Sequence, residues 1–214
     1  MSVTVQQILG LLQTLAPSEL ACSWDNVGLL VDVGVPVSHV LTTLDITAAV
    51  VQEAVENDCQ LIVSHHPVIF NPLRTVQPQN IIYALVQSGI AVISAHTNLD
   101  MAYPYGVNDA LCRRLGLQNV CGILKEGETD IAYMGELPEE MTTEDFAAHI
   151  KEALGLSAVR CTAVSKMLRT VAVVGGAGGD CALAVQAKGA DAVVTGEVKH
   201  HEAIAAQQAG LALY

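Results

Sequence analysis

Residues 59–67, Cys-Gln-Leu-Ile-Val-Ser-His-His-Pro, decide the fold class of this chain. The apolar run from Cys59 to Val63 predicts a buried strand, and Pro67 imposes an extended backbone that marks where the strand has ended. Similar apolar runs occupy Val40 to Leu44 and Ile90 to Ser94, and segments with helical spacing separate the three. Because strands alternate with helices of ordinary length, the sequence predicts βαβ units and a parallel sheet.

The alternation of apolar strands with segments of helical spacing continues in both directions from this stretch. Toward the start of the chain it predicts an amphipathic helix from the capping Thr4 to Ala16, a strand at Leu29 to Val31 and a helix that begins at Ala48, and beyond the histidine pair it predicts a helix at Ile81 to Val86. Toward the end it predicts strands at Met134 to Leu137, Val171 to Val174, Ala192 to Thr195 and Leu211 to Tyr214. It also predicts a helix that is capped by Thr142 or Thr143 and runs through Leu154, and helices at Cys181 to Lys188 and His200 to Ala209.

A charged connection, Lys125 to Asp130, separates these two groups of elements. We therefore expect two lobes, residues 1–124 and residues 125–214. The whole sequence predicts an α/β protein in which both faces of the sheets are covered, because 51% of its residues are hydrophobic and only 15% are charged.

Composition excludes several classes of function. The formal net charge is −12 with only 10 Lys and Arg residues, so no nucleic-acid partner is expected. No stretch approaches the roughly 18 apolar residues of a spanning helix, and the N-terminus does not resemble a signal peptide, so we expect a cytoplasmic protein without membrane contact. The 6 cysteines are dispersed and predict reduced thiols.

Polar side chains follow three successive strands of the first lobe. Asp45 follows the first of these strands, His65 and His66 follow the second, and His96 and Asp100 follow the third. Because ligands gather beyond the carboxyl ends of parallel strands, these groups are expected at one edge of the sheet. Imidazole and carboxylate groups bind zinc, iron and manganese, so His65, His66 and Asp100 predict a divalent-metal site.

Two further residues near this edge have alternative roles. His96 is either a ligand, a hydrogen-bonding partner that orients Asp100 or His65, or a packed histidine, and the latter two roles are favoured. Asp45 either caps the helix that begins near Thr47 or serves the site.

Two features of the second lobe also have alternative interpretations. The start of the last helix carries His200, His201 and Glu202, which either point toward the first lobe or form a solvated helix end. The glycine run at 175–179 lacks the spacing of a phosphate loop, so a tight turn from strand to helix is favoured.

Four motifs in order resemble the GTP cyclohydrolase 1 type 2 homologues, also called Nif-three-like dinuclear-metal hexameric proteins. These motifs are Ser-Trp-Asp-Asn-Val-Gly-Leu at 23–29, Ser-His-His-Pro at 64–67, Ala-His-Thr-Asn-Leu-Asp at 95–100 and Thr-Gly-Glu-Val-Lys-His-His at 195–201. The resemblance spans nearly the whole chain. It implies two similar α/β lobes, a toroidal hexamer and a site for two divalent metal ions in the cavity between the lobes.

Carried over by position, the resemblance makes His65, His66 and Asp100 metal ligands and makes the tryptophan motif structural or cavity-lining. It also implies a Gly-His-x-x-x-Glu motif beyond the strand that ends at Tyr214, and no such motif follows. We therefore expect the second lobe to be incomplete at its C-terminus.

Two functions are compatible with these expectations. The first is a metal-dependent hydrolase acting on a small-molecule substrate, where the family name implies attack of water on the purine ring of GTP with release of formate. The second is a metal-binding hexamer without catalysis, which serves as a scaffold or binds a partner, because a fold and a metal site do not fix a reaction.

Overall fold

The computed structural model describes residues 2–214, which form two compact units. The first unit ends at Ala102 and the second begins at Tyr103. The expected boundary after residue 124 differs from this division, because the charged segment Lys125 to Asp130 forms the tip of a β-hairpin inside the second unit. Charged side chains are stable at such a tip because it is solvated.

The first unit contains a four-stranded sheet with helices on both faces. Its strands are β1 (Gly28–Val31), β2 (Val40–Thr43), β3 (Leu61–Ser64) and β4 (Ala91–Ser94), and its helices are α1 (Val5–Leu15), α2 (Ala48–Glu56), α3 (Ile81–Gln87) and α4 (Thr97–Met101). The strand order is β1-β4-β3-β2. The three strands that precede the candidate ligands are parallel, as predicted, whereas β1 pairs antiparallel with β4.

Alternate residues of the central strands face two different layers of helices. Ile62 and Val92 pack in the cluster that includes α2 and α3, whereas Leu61 and Ile93 pack in the cluster that includes α1. All four are at most 1% exposed, which explains why the strand sequences are continuous apolar runs.

Local capping fixes the helix starts of this unit. Thr4 and Gln7 form a capping box at the start of α1, and the Thr47 side chain accepts a hydrogen bond from the Val50 N–H at the start of α2. The predicted first helix is confirmed, and Thr47, not Asp45, caps the second.

The second unit contains a five-stranded sheet in the order β5-β6-β7-β8-β9. Its strands are β5 (Gln118–Glu126), β6 (Thr129–Thr142), β7 (Met167–Val174), β8 (Ala192–Thr195) and β9 (Ala212–Leu213), and its helices are α5 (Val107–Arg114), α6 (Thr143–Leu154), α7 (Ala182–Gln186) and α8 (His200–Gln208). Strands β7, β8 and β9 are parallel, but β5, β6 and β7 pair antiparallel. The α/β class is confirmed, while the expectation of a largely parallel sheet fails for this half of the second sheet. Strands β5 and β6 are joined by a tight turn, which permits only antiparallel pairing, and β7 returns antiparallel to β6 after helix α6.

The second unit has its own core around the fully buried Phe146 of α6. Thr142 caps the start of helix α6, and Gly155 follows its end. The φ of Gly155 is 66°, the left-handed conformation common after a helix. Within residues 2–214, none of the helices has both the length and the apolar character needed to cross a bilayer.

Candidate metal centre

The two histidines of the Ser-His-His-Pro motif continue the hydrogen-bonding ladder one step beyond β3. The backbone N–H groups of His65 and His66 donate to the carbonyls of Thr43 and Leu44 at 3.1 and 2.9 Å. The buried Ser94 hydroxyl donates to the His65 carbonyl at 2.9 Å. The end of the sheet therefore holds both histidine backbones in fixed positions.

Three imidazoles converge beyond these strand ends. His65, His66 and His96 each offer one ligand atom, and these atoms all lie within 4.8 Å of one another. The ring centroids are 5.1 to 5.5 Å apart. This spacing is compatible with donors that surround a single ion.

Each of the three rings is oriented by an oxygen atom near its Nδ1. The Nδ1 of His65 lies 2.9 Å from the Ala95 carbonyl oxygen, and the Nδ1 of His66 lies 2.7 Å from Asp45 Oδ1. In neutral rings this pattern assigns the proton to Nδ1, which leaves the lone pair on Nε2 for a ligand. The carboxylate of Asp45 is therefore positioned to orient the ring of His66.

The third ring is held by Asp25, a residue of the tryptophan motif. The Nδ1 of His96 lies 2.9 Å from Asp25 Oδ1, while Asp25 Oδ2 accepts hydrogen bonds from the Thr97 N–H and hydroxyl at 3.0 and 2.5 Å. Burial by itself opposes ionisation of Asp25, but the hydrogen bonds from Thr97 and His96 outweigh it and lower the pKa. Asp25 is therefore a fixed anion behind His96.

Asp100 lies on α4, next to the histidine cluster. Its Oδ1 is 3.5 Å from Nε2 of His65, and the residue is only 8% exposed. Burial raises the pKa of Asp100, and the neighbouring His65 and His96 offset part of that increase. A buried carboxylate in this position favours a cation beside it.

The donor set fits a divalent transition metal. Three imidazole nitrogens with a nearby carboxylate are the ligand types that zinc, iron and manganese take in proteins. The side chain of His66 is 46% exposed, compared with 20% for His65 and 17% for His96, so the cluster opens to solvent at His66.

The structure places most of the predicted residues of the first unit together. His65, His66 and Asp100 lie side by side, as the sequence predicts, and their role as ligands stays a prediction. His96 lies in the same cluster, at a distance that suits a ligand as well as the hydrogen-bonding role favoured from the sequence. Asp25 carried no separate prediction, because 71 residues separate it from His96 and only its place in the tryptophan motif marked it.

The candidates in the second unit lie at the start of α8. His200 and His201 are exposed at the start of α8. Glu202 Oε2 accepts a hydrogen bond from the Lys199 N–H at 2.8 Å, and this contact lowers the pKa of Glu202, whereas burial acts in the opposite direction. These contacts match the solvated helix start that the sequence left open as one alternative.

The glycine run forms the predicted tight turn between β7 and a 3-10 turn at Gly179–Cys181 that leads into α7. The Gly178 N–H donates to the Thr195 hydroxyl at 2.9 Å, and the Gly175 N–H donates to the Asn108 side chain at 2.6 Å. These N–H groups are therefore used within the protein and are not directed toward an anion.

Two α/β units, the first with a histidine and carboxylate cluster beyond its strand ends, define an α/β protein with a candidate metal centre. Residues 3–214 match the family described as Duf34/NIF3 (NGG1p interacting factor 3). The chain therefore belongs to the Duf34/NIF3 family.

Relatives with known names and structures agree with this assignment. The chain is 34% identical to a GTP cyclohydrolase 1 type 2 of Helicobacter pylori, over 98% of this chain and 83% of the relative. It is 31% identical to a GTP cyclohydrolase 1 type 2 homolog of Clostridium acetobutylicum, over 94% of this chain and 78% of the relative. Among solved structures it is similar to a Staphylococcus aureus hypothetical protein (TM-score 0.88, 34% identity, 98% and 84% of the two chains) and to a Bacillus cereus protein related to NIF3 (TM-score 0.88, 27% identity, 97% and 86%).

Proposed function

We propose that this chain binds two divalent metal ions and uses them to hydrolyse a small-molecule substrate. His65, His66 and Asp100 are the proposed ligands, and His96 is a fourth candidate. The observation that supports the first ion is the convergence of three oriented imidazoles, whose ligand atoms lie within 4.8 Å of one another, since histidines packed only for stability need not direct their free nitrogens to one point. The second ion is proposed from the resemblance to dinuclear-metal proteins.

The residues of the first unit would hold and orient the metal. Ala95, Asp45 and Asp25 direct the Nε2 atoms of the three histidines, and Asp100 supplies negative charge beside His65. When bound, divalent ions lower the pKa of water and polarise the substrate. The exposed side at His66 gives water and substrate access to the cluster.

The substrate proposal comes from the relatives. The similar protein of Helicobacter pylori is named GTP cyclohydrolase 1 type 2. We propose that this chain likewise acts on the purine ring of GTP, with a water molecule as the nucleophile. We also propose a homo-oligomer, in the form of a toroidal hexamer, which light scattering coupled to size-exclusion chromatography would measure.

The metal proposal is tested by elemental analysis and by titration of the metal-free protein with Zn²⁺, Mn²⁺ and Fe²⁺. We expect tight binding that falls sharply in His65→Ala and His66→Ala. His39→Ala is the matched control, because His39 is also in the first unit but its Nδ1 contacts the Asp58 carbonyl. Equal binding in the wild type and in His66→Ala would contradict the proposal.

Catalysis is tested separately, by formate release from GTP and by hydrolysis of simple phosphoesters with the metal-loaded protein. We expect turnover of GTP that is lost in His65→Ala and His66→Ala but kept in His39→Ala. Stoichiometric metal without turnover of any substrate would instead support the second function, a metal-binding hexamer that acts as a scaffold or partner-binding protein.

A further inference from the structure

Two large aromatic side chains lie exposed beside the histidine cluster. Trp24 is 56% exposed and Phe70 is 47% exposed, and their ring centroids are 5.9 Å apart at an angle of 47°. The ring of Trp24 also meets the edge of His96, with the centroids 6.2 Å apart. An apolar surface of this kind next to a polar cluster is costly to leave in water, so a ligand that covers it would gain binding energy.

Hydrogen bonds on both sides of the aromatic pair hold it in place. Asn26, two residues after Trp24, donates from its side chain to the Ile69 carbonyl at 2.5 Å, and Ile69 is adjacent to Phe70. Asp25, the direct neighbour of Trp24, holds the imidazole of His96. The two aromatic rings and the nearest imidazole are therefore tied together through the backbone before any ligand binds, which reduces the ordering cost of binding.

We propose that Trp24 and Phe70 form a stacking platform for a planar heteroaromatic ring, such as a purine base, that is presented to the histidine cluster. This inference rests on the proposed function, because it assigns the ring of the substrate to the same site. Flat aromatic side chains bind nucleobases through their faces. Stacking on Trp24 would place such a ring beside His96, the member of the cluster that Trp24 touches.

The charge of the chain supports recognition through the ring. With a formal net charge of −12, the surface gives no general attraction for phosphate groups. An uncharged ring is not repelled, so the platform is expected to bind a nucleoside without help from its phosphates.

Trp24 is the single tryptophan of the chain, so intrinsic tryptophan fluorescence reports on the platform alone. The test titrates the full chain, stripped of metal with a chelator, with guanosine, GTP and inorganic triphosphate, using excitation where guanine absorbs little. We expect guanosine to quench the emission at least as strongly as GTP and triphosphate to leave it unchanged. Quenching by triphosphate and GTP but not by guanosine would overturn the proposal.

Variants separate stacking from other causes. In Phe70→Leu the guanosine affinity is expected to fall roughly five- to a hundredfold, the effect of losing one aromatic stack on a base. Tyr83→Leu is the control, because Tyr83 is an aromatic residue of α3 with 39% exposure and no role in the platform. Trp24→Leu, measured by calorimetry, should lose guanosine binding while keeping its metal affinity.

Failure of this inference is distinguishable from failure of the proposed function. GTP turnover with an unchanged KM in Trp24→Leu and Phe70→Leu would reject the platform but leave the hydrolase. Guanosine quenching in a protein that neither binds metal nor turns over GTP would reject the hydrolase but leave the platform. A change of oligomeric mass in Trp24→Leu, with no guanosine binding by the wild type, would show that these rings belong to a subunit interface and would reject the platform.

Discussion

The imidazole of His96 and the carboxylate of Asp25 form a 2.9 Å contact between residues 71 positions apart. This contact joins the tryptophan motif to the end of β4, and it gives Asp25 a role beyond packing. Since Asp25 also accepts two hydrogen bonds from Thr97, it fixes both the ring of His96 and the start of α4. The orientation of one candidate ligand therefore depends on a residue outside the group of three histidines.

Asp25→Asn is expected to weaken metal binding without removing a ligand. Loss of a carboxylate that orients a metal-binding histidine typically costs about 10- to 100-fold in affinity. Competition with a chromophoric chelator measures the change. Asp32→Asn is the control, because Asp32 is an exposed carboxylate that only accepts a hydrogen bond from the Gly34 N–H. An affinity equal to that of the wild type would show that Asp25 does not orient His96.

Asp100→Asn is expected to leave the stability of the metal-free protein intact but to weaken the stabilisation by metal. Burial raises the pKa of Asp100, so the folded chain without metal disfavours the charged carboxylate. The neutral amide of similar size should therefore not lower the melting temperature of the metal-free protein. The increase in melting temperature on adding metal should be much smaller, because the carboxylate beside His65 is lost.

Thermal unfolding of both proteins, with and without Zn²⁺, checks this prediction. A metal-dependent increase as large as in the wild type would argue that Asp100 is not a ligand. A strong loss of stability without metal would instead show that the carboxylate is needed for folding.

The contacts of Asp191 predict that the stability of the second unit depends on pH. It accepts hydrogen bonds from the N–H groups of Arg169 and Thr170 at 3.1 and 3.0 Å, and it contacts Lys166 at 3.3 Å. Burial alone would raise its pKa, but these contacts outweigh burial and hold the pKa of Asp191 below the ordinary value of an aspartate. Because the folded-state pKa is lowered, the stabilisation is present above the unfolded pKa and is lost as the pH falls through the folded pKa.

Asp191→Asn should therefore reduce the free energy of unfolding at pH 7 by about 1 to 2 kcal/mol, because the contribution of hydrogen bonds to a charged acceptor is lowered by solvent screening of the partly exposed side chain. The difference from the wild type should shrink as the pH falls below about 4, the ordinary pKa of the carboxyl in the unfolded chain, and toward the lower folded-state pKa. Urea unfolding at several pH values measures it, with Asp180→Asn as an exposed control. A difference that stays constant with pH would contradict the assigned cause.

Much of the site could be predicted because it depends on local sequence patterns. The apolar run of β3 fixes where the strand ends, and the end of the strand fixes where His65 and His66 lie. What could not be predicted depends on contacts between distant segments. The antiparallel direction of β1 is one example, because four apolar residues at Gly28–Val31 are compatible with either direction.

The second unit also contains features that could not be predicted from local sequence patterns. The hairpin of β5 and β6 was expected to be a boundary between lobes, because its turn at Gly127 is charged and polar like a linker. The sequence does not predict helices α4 and α5, because α4 has only 5 residues and α5 carries few apolar positions. Short elements such as these are stabilised mainly by tertiary packing, which a periodicity does not reveal.

The glycine run at 175–179 gives a final prediction that separates packing from anion binding. A Cβ atom at Gly178 would lie 2.4 Å from Val174 Cγ1 and 2.9 Å from the Thr195 hydroxyl, so no side chain fits without moving β7 or β8. Gly178→Ala should therefore destabilise the protein by about 1 to 3 kcal/mol, the usual cost of overpacking. Gly10→Ala is a matched control that should increase stability, because Gly10 is exposed within α1 and has open space at its Cβ position.

For Gly10→Ala we expect a gain of about 0.5 to 1 kcal/mol, since alanine loses less backbone entropy than glycine in a helix. Chemical denaturation measures both variants. If the glycine run bound phosphate, inorganic phosphate would raise the stability of the wild type. The Gly178→Ala variant would not show this increase. The side-chain acceptors already bonded to the N–H groups of Gly175 and Gly178 predict no specific phosphate binding, so a phosphate-dependent increase in stability that is lost in Gly178→Ala would refute the packing explanation.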